Sequence, residues 1–273
     1  MTAPQNRSAF PRFSACLEML FVKESASFAD RIRLAHAAGF EAIEFWRWTN
    51  KDMQALRQAL AETGMQVAGI VAEPMIALTD RGNHPAFLDG LAETLDVARS
   101  IGAPVLIAQA GNLLAHIERD RQRDALIEGL ARSADILRGS GVILALEPLN
   151  TLVDHPGYFL SSTIEGLDIV DTIGRPEIGL LYDLYHSMVM GETPETVLAG
   201  RVDRIAHVHV ADHPGRNEPG SGRLPLRKSM DWLDANGFTG RYGLEFRPTP
   251  STAEALASVT ARLLPDHQEN PAP

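Results

Sequence analysis

The sequence predicts a single (β/α)₈ barrel, on the evidence of its length, its composition and its repeating pattern. The chain has 273 residues, of which 45% are hydrophobic, enough for one domain with a large core. Short apolar runs alternate with amphipathic segments without a break. Such alternation requires parallel strands with right-handed crossovers, and eight units in about 250 residues is the size of a closed barrel.

The predicted strands are short runs rich in Val, Ile, Leu and aromatic residues. In chain order they cover residues 13–17, 42–45, 65–72, 104–108, 142–147, 178–183, 205–210 and 242–246. Their length suits strands buried on both faces, as the strands of a parallel barrel are. The first strand then begins the domain and the eighth closes it.

The predicted helices are the amphipathic segments that follow each strand. They cover residues 28–38, 51–62, 86–100, 121–138, 162–172, 194–199, 226–235 and 252–264. Several are followed by a glycine that can adopt the left-handed capping conformation, namely Gly39, Gly64, Gly102, Gly139 and Gly237. The polar, proline-containing ends lack periodicity, so residues 1–12 and 265–273 are expected to be flexible around a catalytic domain at 13–264.

A doubly wound open sheet is the alternative fold for the same alternation of strands and helices. That fold commonly carries a glycine-rich phosphate loop after its first strand. Here CLEMLF stands at 16–21, with no glycine. The barrel is therefore the favoured fold.

Charge and cysteine content limit the partners and the location. The net charge is −10 and no Lys/Arg run occurs, which disfavours a nucleic-acid or an anionic-membrane partner. No apolar stretch approaches the roughly 20 residues of a spanning helix, and the first ten residues lack a signal peptide's apolar core. The single cysteine, Cys16, fits a reducing compartment. We expect a cytoplasmic protein that acts on a small molecule, and a homo-oligomer is left open.

Four side chains able to bind one divalent metal lie at the ends of the last four predicted strands. Glu147, Asp183, His209 and Glu245 each follow a run of aliphatic residues. A charged group buried there without a partner would cost several kcal/mol. One such ending would be an accident, but four suggest that the side chains converge on a common point.

Strand parity supports this convergence. Side chains alternate between the two faces of a strand with period two. In HVHV at 207–210 the two valines are assigned to the helix-facing side, so His209 points into the barrel. The same alternation turns Glu147, Asp183 and Glu245 inward. All four then face the C-terminal mouth, where barrels of this kind keep their active sites.

Three carboxylates and one imidazole form a hard, mostly oxygen ligand set. It favours Mg²⁺ or Mn²⁺, with Co²⁺ and Zn²⁺ as alternatives. A metal of this kind polarises a carbonyl and stabilises an enediolate, while a carboxylate within hydrogen-bond reach carries the proton. The predicted chemistry is the movement of a carbonyl along a short carbon chain.

Two irregular connections open at the predicted mouth, at 154–158 and 212–223. The second is rich in Gly and Pro, carries Arg216 and Arg223, and is long for a strand–helix connection, which indicates a functional role. Each arginine is equally well explained as an ordinary solvated charge.

Other inward-facing polar residues have open roles. Glu44 and Gln109 lie near strand ends, where packing, orientation of a neighbour or substrate contact are all consistent with their positions. His207 lies two residues deeper than His209, which favours a hydrogen-bonded core histidine.

Several segments resemble the hydroxypyruvate isomerase family, within the xylose isomerase-like group of sugar isomerases and epimerases. The matching segments are FSACLEMLF at 13–21, LEPLN at 146–150, DHPGYFL at 154–160, YDLYHSMVMGE at 182–192, HVHVADHPGRNEPGSG at 207–222 and GLEFRP at 243–248. The resemblance implies a (β/α)₈ TIM barrel that binds Mg²⁺ or Mn²⁺ through Glu147, Asp183, His209 and Glu245. It also implies an enediol mechanism that converts hydroxypyruvate to 2-hydroxy-3-oxopropanoate. The two glutamates would carry protons on opposite sides of the substrate, with His186 near its oxygens.

If the substrate is such an acid, Arg216, Arg223 and Arg247 are candidates to bind its carboxylate, because Arg suits bidentate recognition. The chain departs from the family at two of its site positions. Hydroxypyruvate isomerases favour Gln at the position of His209, whereas ketose epimerases have His, and Arg223 replaces a family carboxylate. A ketose 3-epimerase is therefore the alternative reaction. A metal-dependent endonuclease on abasic DNA is disfavoured by the acidic charge, and a non-catalytic sugar-binding barrel by the complete ligand set.

Overall fold

Eight parallel strands form a closed barrel in the computed structural model, which describes residues 9–264. The strands are β1 (Phe10–Cys16), β2 (Phe40–Phe45), β3 (Gln66–Val71), β4 (Val105–Gln109), β5 (Ile143–Glu147), β6 (Ile178–Asp183), β7 (Ile205–Val210) and β8 (Tyr242–Leu244). Each strand pairs with the next, and β1 pairs with β8 to close the sheet. The predicted (β/α)₈ fold is confirmed.

Helices connect the strands and surround the barrel. Within residues 9–264 they are α1 (Phe28–Ala37), α2 (Met53–Thr63), α3 (His84–Ile101), α4 (Arg119–Leu137), α5 (Thr163–Ile173), α6 (Leu184–Val189), α7 (Pro194–Val197), α8 (Leu226–Ala235) and α9 (Thr252–Leu263). All five glycines predicted to follow helices have positive φ angles. In the part of the chain described, no helix is both long enough and apolar enough to cross a membrane.

Two local predictions differ from the structure. Strand β1 begins at Phe10 rather than at residue 13, because Phe10 is already in register with Phe40 of β2. Helix α6 was not predicted: it starts directly after β6, where the Asp183 carboxylate accepts from the backbone amides of Tyr185 and His186 at 2.8 and 3.2 Å. Most of the predicted flexible ends, residues 1–8 and 265–273, lies outside the described residues.

The barrel interior contains a small apolar layer of its own. It consists of Val71, Val105, Ile107, Ala145 and Leu181, and it is separate from the larger core between sheet and helices. Inward-facing Ala145 and Leu181 lie two residues before Glu147 and Asp183 on their strands. Since side chains two apart share a face, the two carboxylates stand directly above this layer, at the mouth.

Candidate active site

The structure brings together the four side chains predicted to bind a metal. Glu147, Asp183, His209 and Glu245, here called the four-ligand cluster, are buried, and one potential ligand atom from each lies within 4.8 Å of all the others. Glu147 and Asp183 are the last residues of β5 and β6, and Asp183 is in register with His209 of β7. Glu245 follows β8 directly. Parallel strands that end at one level therefore supply the whole cluster.

His209 shows whether a divalent cation fits the cluster. Its Nδ1 lies 3.6 Å from Glu147 Oε1 and 3.2 Å from Glu245 Oε2, yet it makes no hydrogen bond with any described residue. A buried imidazole nitrogen that faces two carboxylates in this way matches a ligand nitrogen in a mostly oxygen site. The residues present fit Mg²⁺ or Mn²⁺.

The cluster also holds one guanidinium group. Arg216 is only 7% exposed, and its Nη2 donates to Glu245 Oε2 and lies 3.5 Å from Asp183 Oδ2. Burial raises the pKa of Asp183 above its usual value, although Arg216 opposes that change. Burial would also raise the pKa of Glu245, but His209 and Arg216 together hold it well below its usual value. Glu245 is thus the more firmly ionised of the two.

Trp46 contacts the cluster from the other half of the barrel. Its Nε1 donates to Glu245 Oε1 at 2.7 Å, so both oxygens of Glu245 have protein partners. Trp46 was not among the residues predicted for the site. The sequence feature that could have identified Trp46 is WRW at 46–48, which follows β2 directly at the mouth of the barrel.

His186 is held in one tautomer at the edge of the cluster. The backbone N–H of Asn150 lies 3.2 Å from its Nδ1, and the side-chain Nδ2 of Asn150 lies 2.6 Å from the same atom. A backbone amide can only donate, so Nδ1 accepts and the hydrogen of the neutral ring is on Nε2. Burial, with Arg216 nearby, lowers the pKa of His186 to about 3. Its Nε2 is buried and makes no hydrogen bond within the described chain.

A cavity of about 260 Å³ opens above the cluster. Its lining comprises Trp46, Val71, Met75, Ile107, Gln109, Glu147, Leu149, Asp154, His155, His186, His209, Arg216, Glu245 and Arg247. Four of the predicted substrate contacts, His186, Arg216, Arg247 and Gln109, are therefore on this wall. Arg247 is exposed at the rim, and its guanidinium has no carboxylate partner among the described residues. The cavity therefore combines potential metal ligands, one neutral histidine and a cation without a carboxylate partner among the described residues.

Glu44 lies below this cavity and does not line it. Its carboxylate is buried beside His209, with Oε1 3.1 Å from the Nε2 of that ring. The other oxygen accepts from Ser14 and His207, each at 2.8 Å. Of the roles open to Glu44, its contacts match orientation of a neighbour rather than contact with a substrate. His207 is the hydrogen-bonded core histidine that its depth indicated.

Arg223 also lies away from the cavity, in a separate surface depression that includes Arg227 and Arg262. The reason is the fold of its loop around the buried Asp212. That carboxylate accepts hydrogen bonds of 2.8–3.0 Å from the backbone amides of His213, Gly220, Gly222 and Leu224. The loop is thereby drawn back on itself, with Arg216 inside and Arg223 outside.

The chain is similar to known proteins in sequence pattern, in overall sequence and in fold. The model described as a xylose isomerase-like TIM barrel matches residues 32–264. The hydroxypyruvate isomerase of Escherichia coli (strain K12) is 29% identical over 253 residues, which cover 90% of this chain and 96% of that protein. The 2-oxo-tetronate isomerase of Cupriavidus necator is 31% identical over 255 residues, with the same coverage of both chains.

A solved structure agrees with the fold. The crystal structure of a protein described as an AP endonuclease, family 2, from Brucella melitensis superimposes with a TM-score of 0.86 at 27% identity. It covers 93% of this chain and 100% of its own. The likeness thus extends over nearly all of the barrel.

Proposed function

We propose that this chain, which belongs to the xylose isomerase-like TIM-barrel family and is an isomerase, acts on a small hydroxy-oxo acid with the help of a divalent metal. Hydroxypyruvate is the first candidate substrate, and a four-carbon 2-oxo acid is the second. The observation that carries the proposal is the four-ligand cluster at the floor of a small cavity with Arg247 free at its rim.

Glu147, Asp183, His209 and Glu245 would hold Mg²⁺ or Mn²⁺. When bound, the metal supplies Lewis-acid stabilisation, worth several kcal/mol, of the negative charge that develops on the substrate oxygens. The protein then has to place the substrate, move one proton between neighbouring carbons and keep the developing charge out of bulk water. The cavity residues divide these tasks.

The glutamates are suited to the proton transfer. One carboxylate removes the proton from C3 of hydroxypyruvate, and the electrons of that C–H bond form the C2–C3 double bond of an enediolate. A proton delivered to C2, together with transfer of the O3 proton to O2, gives 2-hydroxy-3-oxopropanoate. Glu147 and Glu245 approach from β5 and β8, so they lie on different sides of a substrate above the cluster.

His186 is suited to the oxygen atoms. Because its neutral ring presents N–H at Nε2 toward the cluster, it can donate to a substrate oxygen as charge develops there. An imidazolium would instead place a second cation beside Arg216, which the low pKa of His186 disfavours. We assign to His186 the role of a neutral hydrogen-bond donor.

Size and charge both favour a short acid. The cavity of about 260 Å³ is smaller than the roughly 300–1,000 Å³ typical of drug-sized ligand sites. Arg216 is already paired with Glu245 and Asp183, whereas Arg247 has no such partner among the described residues. A substrate carboxylate would therefore meet Arg247, and a neutral ketohexose would gain nothing from it.

A ketose 3-epimerase is the second candidate function, and the presence of His rather than Gln at position 209 favours it. The two candidate functions are distinguished by incubating the Mn²⁺-loaded enzyme in deuterated water with a panel of acids and ketoses. The reaction of each compound is followed by NMR. We expect exchange and isomerisation of hydroxypyruvate or a four-carbon hydroxy-oxo acid to be fastest. Faster turnover of fructose, tagatose or psicose would overturn the proposal in favour of the epimerase.

A further inference from the structure

We propose that Glu44 is a positioning residue for His209: its carboxylate, buried inside the barrel, fixes the imidazole so that Nδ1 faces Glu147 and Glu245. The inference rests on the proposed function, since it concerns the metal that the four-ligand cluster would hold. Glu44 would then act on the site through His209, although its buried carboxylate lines no part of the cavity.

The two oxygens of Glu44 have different contacts, and only Oε2 makes hydrogen bonds within the described residues. Oε2 accepts from Ser14 Oγ and from His207 Nε2, each at 2.8 Å, and Oε1 lies 3.1 Å from His209 Nε2. Glu44 is 3% exposed, so no bulk water competes for these positions.

Because Oε2 already accepts from Ser14 and His207, Glu44 meets its neighbours as a hydrogen-bond acceptor, and the neighbour of Oε1 is His209 Nε2. The ring nitrogen of His209 that faces Glu44 therefore carries a hydrogen. In the neutral ring this leaves the lone pair on Nδ1, the nitrogen that lies 3.2 Å from Glu245 and 3.6 Å from Glu147. A metal-binding histidine commonly has its second nitrogen held in this way, which sets the tautomer and the orientation of the ring.

Gly243 on β8 provides the space for this arrangement. It is in register with His209 on one side and with Ser14 on the other. A Cβ at Gly243 would lie 2.6 Å from Glu44 Oε2 and 2.7 Å from His209 Cδ2, and closer still to Glu44 Oε1. Its φ is not positive, so lack of space rather than backbone conformation requires the glycine. Strands β1, β2, β7 and β8 therefore all contribute to the positions of the Glu44 carboxylate and the His209 ring.

A second metal held by Glu44, His207 and His209 is the competing explanation, since one potential ligand atom from each also lies within 4.8 Å of the others. Positioning is favoured because Glu44 Oε2 already accepts hydrogen bonds from Ser14 and His207. A metal there would also require His209 to bind through both nitrogens. We therefore expect one metal ion per chain.

The test uses the full chain stripped of metal, with Glu44→Met as the main variant. Methionine has a similar length but offers the ring no charged acceptor. Ser14→Ala is the matched control, because it removes a contact to the same carboxylate and leaves Oε1 beside His209. Titration with Mn²⁺ is followed by calorimetry, and the tautomer of His209 in the metal-free protein by NMR of ¹⁵N-labelled histidine, at a pH where the ring is neutral.

We expect wild type to bind one Mn²⁺ per chain and to hold His209 with hydrogen on Nε2. Glu44→Met should weaken Mn²⁺ binding by roughly 10–100-fold and reduce the Nε2–H population, with a much smaller effect of Ser14→Ala. If Glu44→Met does not fold, Glu44→Gln, which removes the charge and one of the two acceptor oxygens, should show the same two changes to a smaller degree.

Unchanged Mn²⁺ affinity in the folded Glu44 variant would overturn the positioning role, as would an unchanged tautomer. Two Mn²⁺ per wild-type chain, with one lost in the variant, would replace that role with a second metal site. Absence of Mn²⁺ binding by wild type would instead overturn the proposed function itself. The tautomer measurement on metal-free protein separates these failures, since it needs no bound metal.

Discussion

Asn150 places two nitrogens against one atom of His186, its backbone N–H at 3.2 Å and its side-chain Nδ2 at 2.6 Å from Nδ1. The side chain of Asn150 also donates to Asp154 Oδ2 at 2.7 Å, and Tyr185 donates to that same oxygen at 2.7 Å. This chain of contacts ties the orientation of His186 to the connection after β5. The ring is thus oriented through Nδ1, while Nε2 faces Asp183 of the four-ligand cluster.

Replacing Asn150 should therefore alter catalysis through His186. We expect Asn150→Asp to lower kcat by about 10–100-fold and to shift the pH–rate profile, because a carboxylate beside Nδ1 favours the imidazolium. Tyr185→Phe, which keeps the ring and leaves Asn150 in place, is the control and should have a smaller effect. An unshifted pH profile in Asn150→Asp, with unchanged kcat, would show that the tautomer of His186 does not matter.

Each member of the four-ligand cluster should be needed for metal binding. We expect Glu147→Gln, Asp183→Asn, His209→Asn and Glu245→Gln each to weaken Mn²⁺ binding, because each removes a charge or a matched donor. Wild type should also melt at a higher temperature when Mn²⁺ is added, since a ligand that binds only the folded state stabilises it. Retention of stoichiometric Mn²⁺ by any two of the four variants, measured by elemental analysis, would contradict the assignment.

The two glutamates should be separable as proton carriers. Among variants shown to retain metal, we expect one of Glu147→Gln and Glu245→Gln to keep measurable solvent-deuterium exchange while forming no net product. The remaining carboxylate would then perform the first abstraction without a partner to complete the transfer. Near wild-type turnover in both metal-loaded variants would exclude both groups, and His186 would become the first candidate for the proton carrier.

Arg247 should determine the preference for an acid. We expect Arg247→Met to raise KM for hydroxypyruvate by roughly 10–100-fold, because a charge-assisted hydrogen bond is lost. The kcat/KM for a neutral ketose should not fall. Arg223→Met is the matched control: it removes the same charge from a loop position outside the cavity and should leave KM unchanged. Equal effects of the two substitutions would indicate general electrostatic attraction rather than a carboxylate contact.

Glu73 should contribute an acid-sensitive part of the stability. It accepts from Arg47 at 2.8 Å and from Thr49 Oγ1 at 2.7 Å. Burial would raise the pKa of Glu73, but these partners lower it below its usual value. The stabilisation is therefore present above the usual carboxylate pKa and is lost as the pH falls through the lowered one.

Glu73→Gln should accordingly be less stable than wild type near pH 7. The expected loss is only about 1 kcal/mol, because Arg47 is half-exposed and solvent screens its charge. The difference should shrink as the pH is lowered below 4.5, when measured by urea unfolding at each pH. A difference that stays constant across that range would show that the ionised carboxylate is not what stabilises this loop.

The strands and the four-ligand cluster could be predicted because both depend on local pattern. Period-two alternation and short apolar runs specify which side chain of each strand faces inward. The start of β1 was hidden by Arg12, a polar residue in the strand whose side chain reaches the carbonyl oxygens of Phe238 and Gly240. Helix α6 was not predicted because no loop separates it from β6: Asp183 is the last residue of the strand, a potential ligand and the N-cap of the helix.

Loop direction could not be predicted in the same way. Nothing in the spacing of 212–223 indicates that Arg216 turns inward and Arg223 outward, since that difference follows from the hydrogen bonds Asp212 makes along the chain. The contact of Trp46 with Glu245 joins residues 199 positions apart, and it required the closed barrel.

The cavity draws its chemistry and its shape from different halves of the barrel. Strands β5 to β8 and their ends carry the whole four-ligand cluster, whereas most of the apolar wall, at Val71, Met75 and Ile107, comes from β3, β4 and the connection between them. Changes in the first half can therefore alter the shape of the compound that fits the cavity, while the second half keeps the four-ligand cluster and Arg247. Trp46 follows β2 and donates to Glu245, so a change at this position would affect both halves.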